Sequence, residues 1–303
     1  MKKTMLLVAV LAATLATALA EPNPARDLYK QHYKYKDFTA LTVSHAFRVE
    51  LTFADAYAVE VEVPAYIEPY LKVSCSAGKL RIGVANLPRD IQRKLNDRSD
   101  KLYARVTMPR LLSLSLSGAS RLTAAGMPKL RPGDDLDIEL SGASQLDAFA
   151  ANGNGTLSID LSGASKASIQ ATFPSLKTSL SGASKLTFTG DADNLRIDYS
   201  GAAAGKLTGD YGHVRASLSG SSKIELTGNT RTLELEASGA SKYEADGVTE
   251  HADIELSGAT KCRIAASGRI GYELSGASTL SIKDLGASVS GQCSRGSKVE
   301  TIR

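Results

Sequence analysis

The chain has 303 residues, 43% of them apolar and 22% charged, and it contains no tryptophan. That apolar content excludes a disordered chain, and a mean hydropathy of -0.11 with a single long apolar run excludes a polytopic membrane protein. Its 36 basic and 32 acidic residues leave a net charge of +4, too small an excess to name an acidic partner.

Residues 1–20 read as a secretory signal. Lys2 and Lys3 open it, an apolar stretch runs from Met5 to Leu19, and Ala18-Leu19-Ala20 forms a small-x-small cleavage site. Removing the two lysines with the signal leaves 34 basic and 32 acidic residues, a net of +2. The expectation is an exported protein, in the periplasm, on the outer-membrane surface or secreted, with no integral membrane segment after cleavage. Residues 21–37 form a short leader. The odd count of cysteines, Cys75, Cys262 and Cys293, implies a free thiol or an intermolecular bridge, and no disulfide framework is visible.

Residues 38–116 carry period-two alternation without a repeated motif. Phe47, Val49, Leu51 and Phe53 alternate, as do Val59, Val61 and Val63, then Leu80, Ile82 and Val84, then Ala104, Val106 and Met108. These are strands of irregular β turns that would cap the regular turns beginning at residue 117, since open strand edges invite pairing with other chains. Two pieces look irregular: the basic, aromatic Tyr29–Lys36 and the highly charged Asn86–Asp100, the latter a loop or short helix.

From residue 117 a Ser-Gly-Ala-Ser tetrapeptide or a close variant recurs. Its first serines are Ser117, Ser141, Ser162, Ser181, Ser200, Ser219, Ser238, Ser257, Ser275 and a degenerate Ser290. The central spacings are 19 residues, and a period sustained this long marks a solenoid. Relative to the first serine (position 0), positions -5, -3 and -1 are apolar, as in Leu157, Ile159 and Leu161; so are +5 and +7, as in Ile224 and Leu226. Each arm alternates with period two, the mark of a half-buried strand. Two strands per turn of about 19 residues define an all-β fold, a parallel β-helix spanning residues 117–303 with nine intervals and a length of about 43 Å at the strand spacing. The tetrapeptide reads as corner chemistry: glycine for an unusual backbone angle, alanine turned inward at a pinched corner, serines stacked in hydroxyl ladders. A second corner falls near +9, at Gly126, Gly190, Gly209, Gly228 and Gly247.

The Phe47-Arg48-Val49-Glu50-Leu51-Thr52 strand, the Val-Glu-Val-Glu-Val stretch after it and the recurrent Ser-Gly-Ala-Ser-Lys-Leu turns resemble the auto-transporter adhesin "head GIN domain" family of exported bacterial proteins, over roughly residues 38–260. The resemblance implies a right-handed parallel β-helix on an exported protein and carries no catalytic residue. No Gly-Ile-Asn tripeptide occurs, and the 13 residues after Ser290 leave no room for a membrane barrel, so self-transport is not expected.

Two charged columns arise from the period. Position +4 is basic at Arg121, Lys166, Lys185, Lys223, Lys242 and Lys261, the candidate binding strip. Position -2 is acidic at Glu139, Asp160, Asp198, Glu236, Glu255 and Glu273. Both point outward if their apolar neighbours point inward. The strip could bind polyanions such as acidic glycans, or it could be a solvated surface that keeps the solenoid soluble. Near-zero net charge argues against nucleic acid. Glu236, Glu255 and Glu273 on consecutive turns have the spacing of a glycosidase pair or a divalent-cation site, yet they recur as part of the repeat and no pair is singled out. His213 and His251 share a repeat position two turns apart, too far to share a metal. No catalytic residue, cofactor site or metal site is assigned.

The functional expectation is a non-enzymatic envelope or cell-surface protein, an adhesin or binding scaffold whose partner is a glycan or a host or cell-surface protein. The alternatives are a polysaccharide lyase or hydrolase on the same scaffold and a purely structural periplasmic protein.

Overall fold

The alternation read from the sequence becomes two stacks of short parallel strands. The protein is described here by a computed structural model covering residues 27–97 and 101–302. Residues 1–20, read from the sequence as a signal, and the first part of the expected leader, 21–26, lie outside the described residues. The chain is 62% strand and winds into a β-solenoid of about nine turns with about 19 residues per turn. No helix among the described residues is long and apolar enough to cross a membrane.

Register is repeat on repeat. Leu136, Ile138 and Leu140 lie beside Leu157, Ile159 and Leu161, and Lys185, Leu186 and Thr187 lie beside Lys166, Ala167 and Ser168. The apolar residues of both arms are buried, Ile138, Ile159 and Ile197 completely, so each turn closes its core only against the turns above and below. Repeats longer than 19 residues absorb their excess locally. The 24-residue repeat carries a loop after Gly126 whose Asp134 pairs with Arg110 of the preceding segment, and the 21-residue repeat bulges between Leu146 and Phe149, with Ala148 at φ 52.

The corner differs from expectation in its side chains. Alanine at +2 is exposed, and the second serine, at +3, is the inward residue: Ser120, Ser144, Ser165 and Ser184 are 0–1% exposed. The reason is hydrogen bonding. The Ser165 hydroxyl donates to the Ser162 carbonyl at 2.8 Å, and Ser144, Ser241 and Ser278 donate equivalently at 2.6–2.9 Å. At these four corners the buried hydroxyl is therefore satisfied inside its own corner rather than in a ladder between turns, whereas Thr260 at the equivalent place buries its hydroxyl without a partner among the described residues. The Ser222–Ser241 hydroxyl contact, at 3.5 Å, is a partial exception.

Turns are joined through backbone at the same place. The Ala183 amide donates to the Gly163 carbonyl at 2.7 Å, Ala202 to Gly182 and Ala240 to Gly220 likewise. A Cβ on Gly182 would sit 2.6 Å from the Gly163 carbonyl oxygen, and its φ of +71 is one that side-chain-bearing residues resist. At the second corner Gly209 (φ +153) meets the Gly190 carbonyl as closely, and Asp191, Asp210 and Asn229 form a relay in which each side-chain oxygen accepts the amide of the next turn's Asp210, Asn229 or Val248.

The last corner is not at Ser290. Ser290 lies beside Gly271 within a strand, and the tenth corner runs from Ser294 to Ser297, with Gly296 at φ +100 and the Ser294 amide on the Leu274 carbonyl. Arg295 occupies the usual glycine place, which hides the corner from a motif scan, but the 19-residue step from Ser275 is restored.

The N-terminal part builds turns out of sequence order. Strands β1 (Leu28–Tyr33), β2 (Ala40–Val43), β3 (Phe47–Phe53), β4 (Ala58–Pro64), β5 (Leu71–Ser76), β6 (Lys79–Val84), β7 (Leu102–Met108), β8 (Ser113–Leu116) and β9 (Arg121–Ala125) lie here. The β2–β3 turn is inserted between the β6–β7 and β8–β9 turns, all in parallel. Beyond β7 and β6 the pairing reverses: β4 is antiparallel to β7, β1 to β4, and β5 to β6. The segment read as irregular near Tyr29 thus supplies a strand, tied down when Glu60 accepts Lys30 at 2.9 Å and Arg105 at 2.6 Å while Arg105 also holds Glu50. Within Asn86–Asp100 the chain forms helix α1 (Arg89–Asp97), whose Ile91 and Leu95 pack against the core and whose Lys94 ammonium lies 4.1 Å from the Tyr66 ring centre.

Three outcomes are expected. Leu235, 1% exposed in the central stack, should not tolerate a charge: Leu235→Asp abolishes cooperative unfolding, and a wild-type melting temperature would contradict its inward assignment. In urea titrations Gly182→Ala should cost about 1–3 kcal/mol through strain and collision with the turn below. Ser184→Ala should cost about 1 kcal/mol, since Ala203 already fills the equivalent place.

Candidate binding faces

Position +4 opens the second strand of every turn, directly after the inward serine, so its side chain must point out. Register sets Arg121, Gln145, Lys166, Lys185, Ala204, Lys223, Lys242 and Lys261 in one row. The row is geometrically real, but its members differ electrostatically. Lys223 donates to Glu225 at 2.5 Å and lies 3.7 Å from Glu244, which Lys242 reaches at 2.7 Å. The hydrogen bond from Lys223 holds the Glu225 carboxyl below its ordinary range, and the same bond raises the Lys223 ammonium. Arg121 donates to Gln145 and lies 3.6 Å from Asp147. Among the described residues Lys166, Lys185 and Lys261 form no ion pair. Lys166 and Lys185 are immediate neighbours and both exposed.

The acidic column is equally ordered. Glu236, Glu255 and Glu273 are in register on three turns, with Ser217 before and Gln292 after. They line an open groove of about 550 Å³ whose other wall holds the first serines of the corners, Ser219, Ser238, Ser257 and Ser275. Glu139, Asp160 and Asp198 line a shorter groove of about 410 Å³ with Ser141, Ser162 and Ser181. Carboxylates and hydroxyls thus run as two parallel rows along one edge of the solenoid, an arrangement that accepts and donates hydrogen bonds at regular intervals. Among the described residues no group of three His, Cys, Asp or Glu side chains is placed to hold a metal ion.

The remaining chemistry-bearing residues are dispersed. The His213 Nδ1 contacts the Thr232 hydroxyl at 2.6 Å, and the His251 Nδ1 accepts the Arg269 amide at 3.1 Å, with Thr232 between the two histidines in register. All three cysteines are free. Cys262 is buried among apolar residues, and burial pushes its thiol pKa far up. Cys75 is half-buried and Cys293 exposed. Burial likewise raises the phenols of Tyr199, Tyr211 and Tyr243 inside the solenoid, where the Tyr199 ring occupies the space above Gly205.

One outward row escaped the sequence reading: position -4, with Lys177, Arg196 and Arg215 on successive turns. Counting charges at every outward position of the repeat frame, rather than at the two with the longest runs, would have found it.

A direct check on the paired part of the +4 row is carbon-detected titration of side-chain carboxyls. Glu225 should titrate below an ordinary glutamate, and Lys223→Met should return it toward the usual range; an unchanged midpoint would remove the ion pair.

No curated protein matches the chain. Among solved structures it is similar to a protein from Parabacteroides merdae, described as a putative adhesin, at 14% identity and a TM-score of 0.42, covering 91% of this chain and 97% of that one. A second putative adhesin, from Parabacteroides distasonis, gives 16% identity and a TM-score of 0.43 over the same shares. A putative lipid binding protein from Parabacteroides distasonis gives 12% and 0.40, again over 91% and 97%. The family model described as "putative auto-transporter adhesin, head GIN domain" matches twice, over residues 37–208 and 169–284, a span that takes in both the out-of-order N-terminal turns and nearly all of the regular stack. The chain belongs to that family.

Proposed function

We propose that the protein is an exported, non-enzymatic binding scaffold of the adhesin type. It holds extended faces toward other molecules and contacts acidic glycans through the +4 row. The observation that carries this reading is the row itself: cationic side chains fixed in one line by strand register, on turns that cannot shift independently. A rigid row presents its charges without the ordering cost that a flexible segment would meet on binding. The family supports export to the cell surface, and the apolar run at residues 5–19 supplies the route. The carboxylates of the -2 column occupy equivalent places in their repeats, which favours a surface over a reaction centre, where two acids need different environments.

Two measurements test the reading. Protease shaving of intact cells carrying the tagged mature chain should remove the tag while a periplasmic control survives; a protected tag would exclude adhesion. Retention of the purified chain on an acidic glycan matrix should be salt-sensitive. It should fall more for the Lys166→Glu, Lys185→Glu, Lys261→Glu triple variant than for Lys223→Glu with Lys242→Glu, because the latter two lysines are already neutralised by Glu225 and Glu244. Equal retention of wild type and triple variant would discard the row. Release of reducing ends or unsaturated sugars from the same glycan would overturn the non-enzymatic reading.

A further inference from the structure

A second row of cations lies on the other sheet, four residues before three successive corners. Lys177 stands beside Arg196, and Arg196 beside Arg215, so three cations occupy three consecutive turns about 4.8 Å apart. Like charges directly opposite on neighbouring strands destabilise a sheet. The block is also confined: the turn before it has Ser158 at this position, and the turn after it has Glu234. Around it the chain is one-sided, because no acidic residue occurs between Asp160 and Asp191 while Lys166, Lys177 and Lys185 do.

Beside the row runs an open groove of about 360 Å³, edged by Ser175, Asn194 and His213. Two carboxylates orient the guanidinium groups without occupying all their donors. Asp198 accepts the Arg196 Nε at 2.9 Å, and Glu234 engages both the Arg215 Nε, at 2.6 Å, and its Nη2. A guanidinium has five N–H donors in a rigid fork, so each keeps N–H groups for a further anion, and both side chains remain more than half exposed. Lys177 forms no ion pair among the described residues. The Thr232 hydroxyl fixes the His213 ring at the groove edge.

We propose that this groove binds the anionic groups, carboxylate or sulfate, of an acidic polysaccharide lying along the solenoid axis. Anions repeated along a chain match cations repeated from turn to turn, and oriented guanidinium groups engage planar or tetrahedral oxyanions through paired donors. A nucleic acid fits less well, since no Phe or Tyr ring lines the groove as a stacking platform for successive bases. The inference rests on the scaffold reading and adds to it a discrete site on the sheet that does not carry the +4 row.

The test uses the full mature chain and calorimetric titration with a size-defined heparin oligosaccharide, neutral dextran and a single-stranded DNA of equal charge. The variant combines Lys177→Gln, Arg196→Gln and Arg215→Gln. All three side chains are exposed, and an unchanged melting temperature verifies the fold. Heparin should bind the wild type, and the variant should lose at least tenfold in affinity with a flatter salt dependence. If the variant binds as the wild type does while the Lys166, Lys185 and Lys261 variant fails, this site is overturned and the scaffold reading stands. If the wild type ignores heparin at low salt, both fall. DNA binding as tight as heparin binding would overturn the polysaccharide assignment, as would equal binding of dextran.

Discussion

The corner glycine of each turn accepts, through its carbonyl at 2.6–2.7 Å, the amide of the small residue after the next corner glycine, and at that separation no Cβ fits. This contact, repeated from Gly118 to Gly258, brings the backbone of successive turns together at their tightest point. The strands then have no freedom of register: a slip of one residue would place a side chain in the collision and turn every apolar residue outward. The buried serine serves the same geometry. Its hydroxyl returns to the first corner carbonyl, so a polar residue can face the core where the chain bends too sharply for a larger apolar one.

Fixed register makes surface chemistry additive along the axis. Whatever occupies an outward position appears as a row at one strand spacing, whether lysines at +4, carboxylates at -2 or guanidinium groups at -4. Rows differ in what they leave available. The Lys223–Lys242 part of the +4 row is neutralised by Glu225 and Glu244, whereas Lys166, Lys185 and the block around Arg196 keep donors. Charge is further segregated along the axis: residues 161–190 contain three lysines and no acid, and residues 229–257 contain seven acids against Arg231 and Lys242. A near-zero total therefore conceals a molecule that is locally basic in its middle turns and acidic in later ones. A partner that reads a few turns meets one sign of charge.

The features legible in the sequence were those with a period. Alternation at Leu157, Ile159 and Leu161 named the strands, and recurrence of Ser-Gly-Ala-Ser named the turns, because both are imposed by the solenoid on every repeat. Hidden features depend on non-periodic facts. The inward choice between Ala164 and Ser165 is set by one hydrogen bond, which hydrophobicity does not encode. The insertion of β2 and β3 between later strands is a long-range pairing with no local signature. Arg295 concealed a corner by displacing its glycine one place. In the candidate faces the sequence placed the +4 cations correctly in a row, but their pairing with Glu225 and Glu244 required knowing which side chains two residues along the strand reach back.

Hydrogen exchange at the corner amides probes the constraint on which this account rests. Ala183, Ala202, Ser221 and Ala240 sit in exposed turns, where amides ordinarily exchange fast, yet each donates to a glycine carbonyl of the preceding turn. These amides should exchange as slowly as those of the flanking strands, and only through unfolding of the stack. Exchange at the rate of an open turn, with the strands still protected, would contradict it.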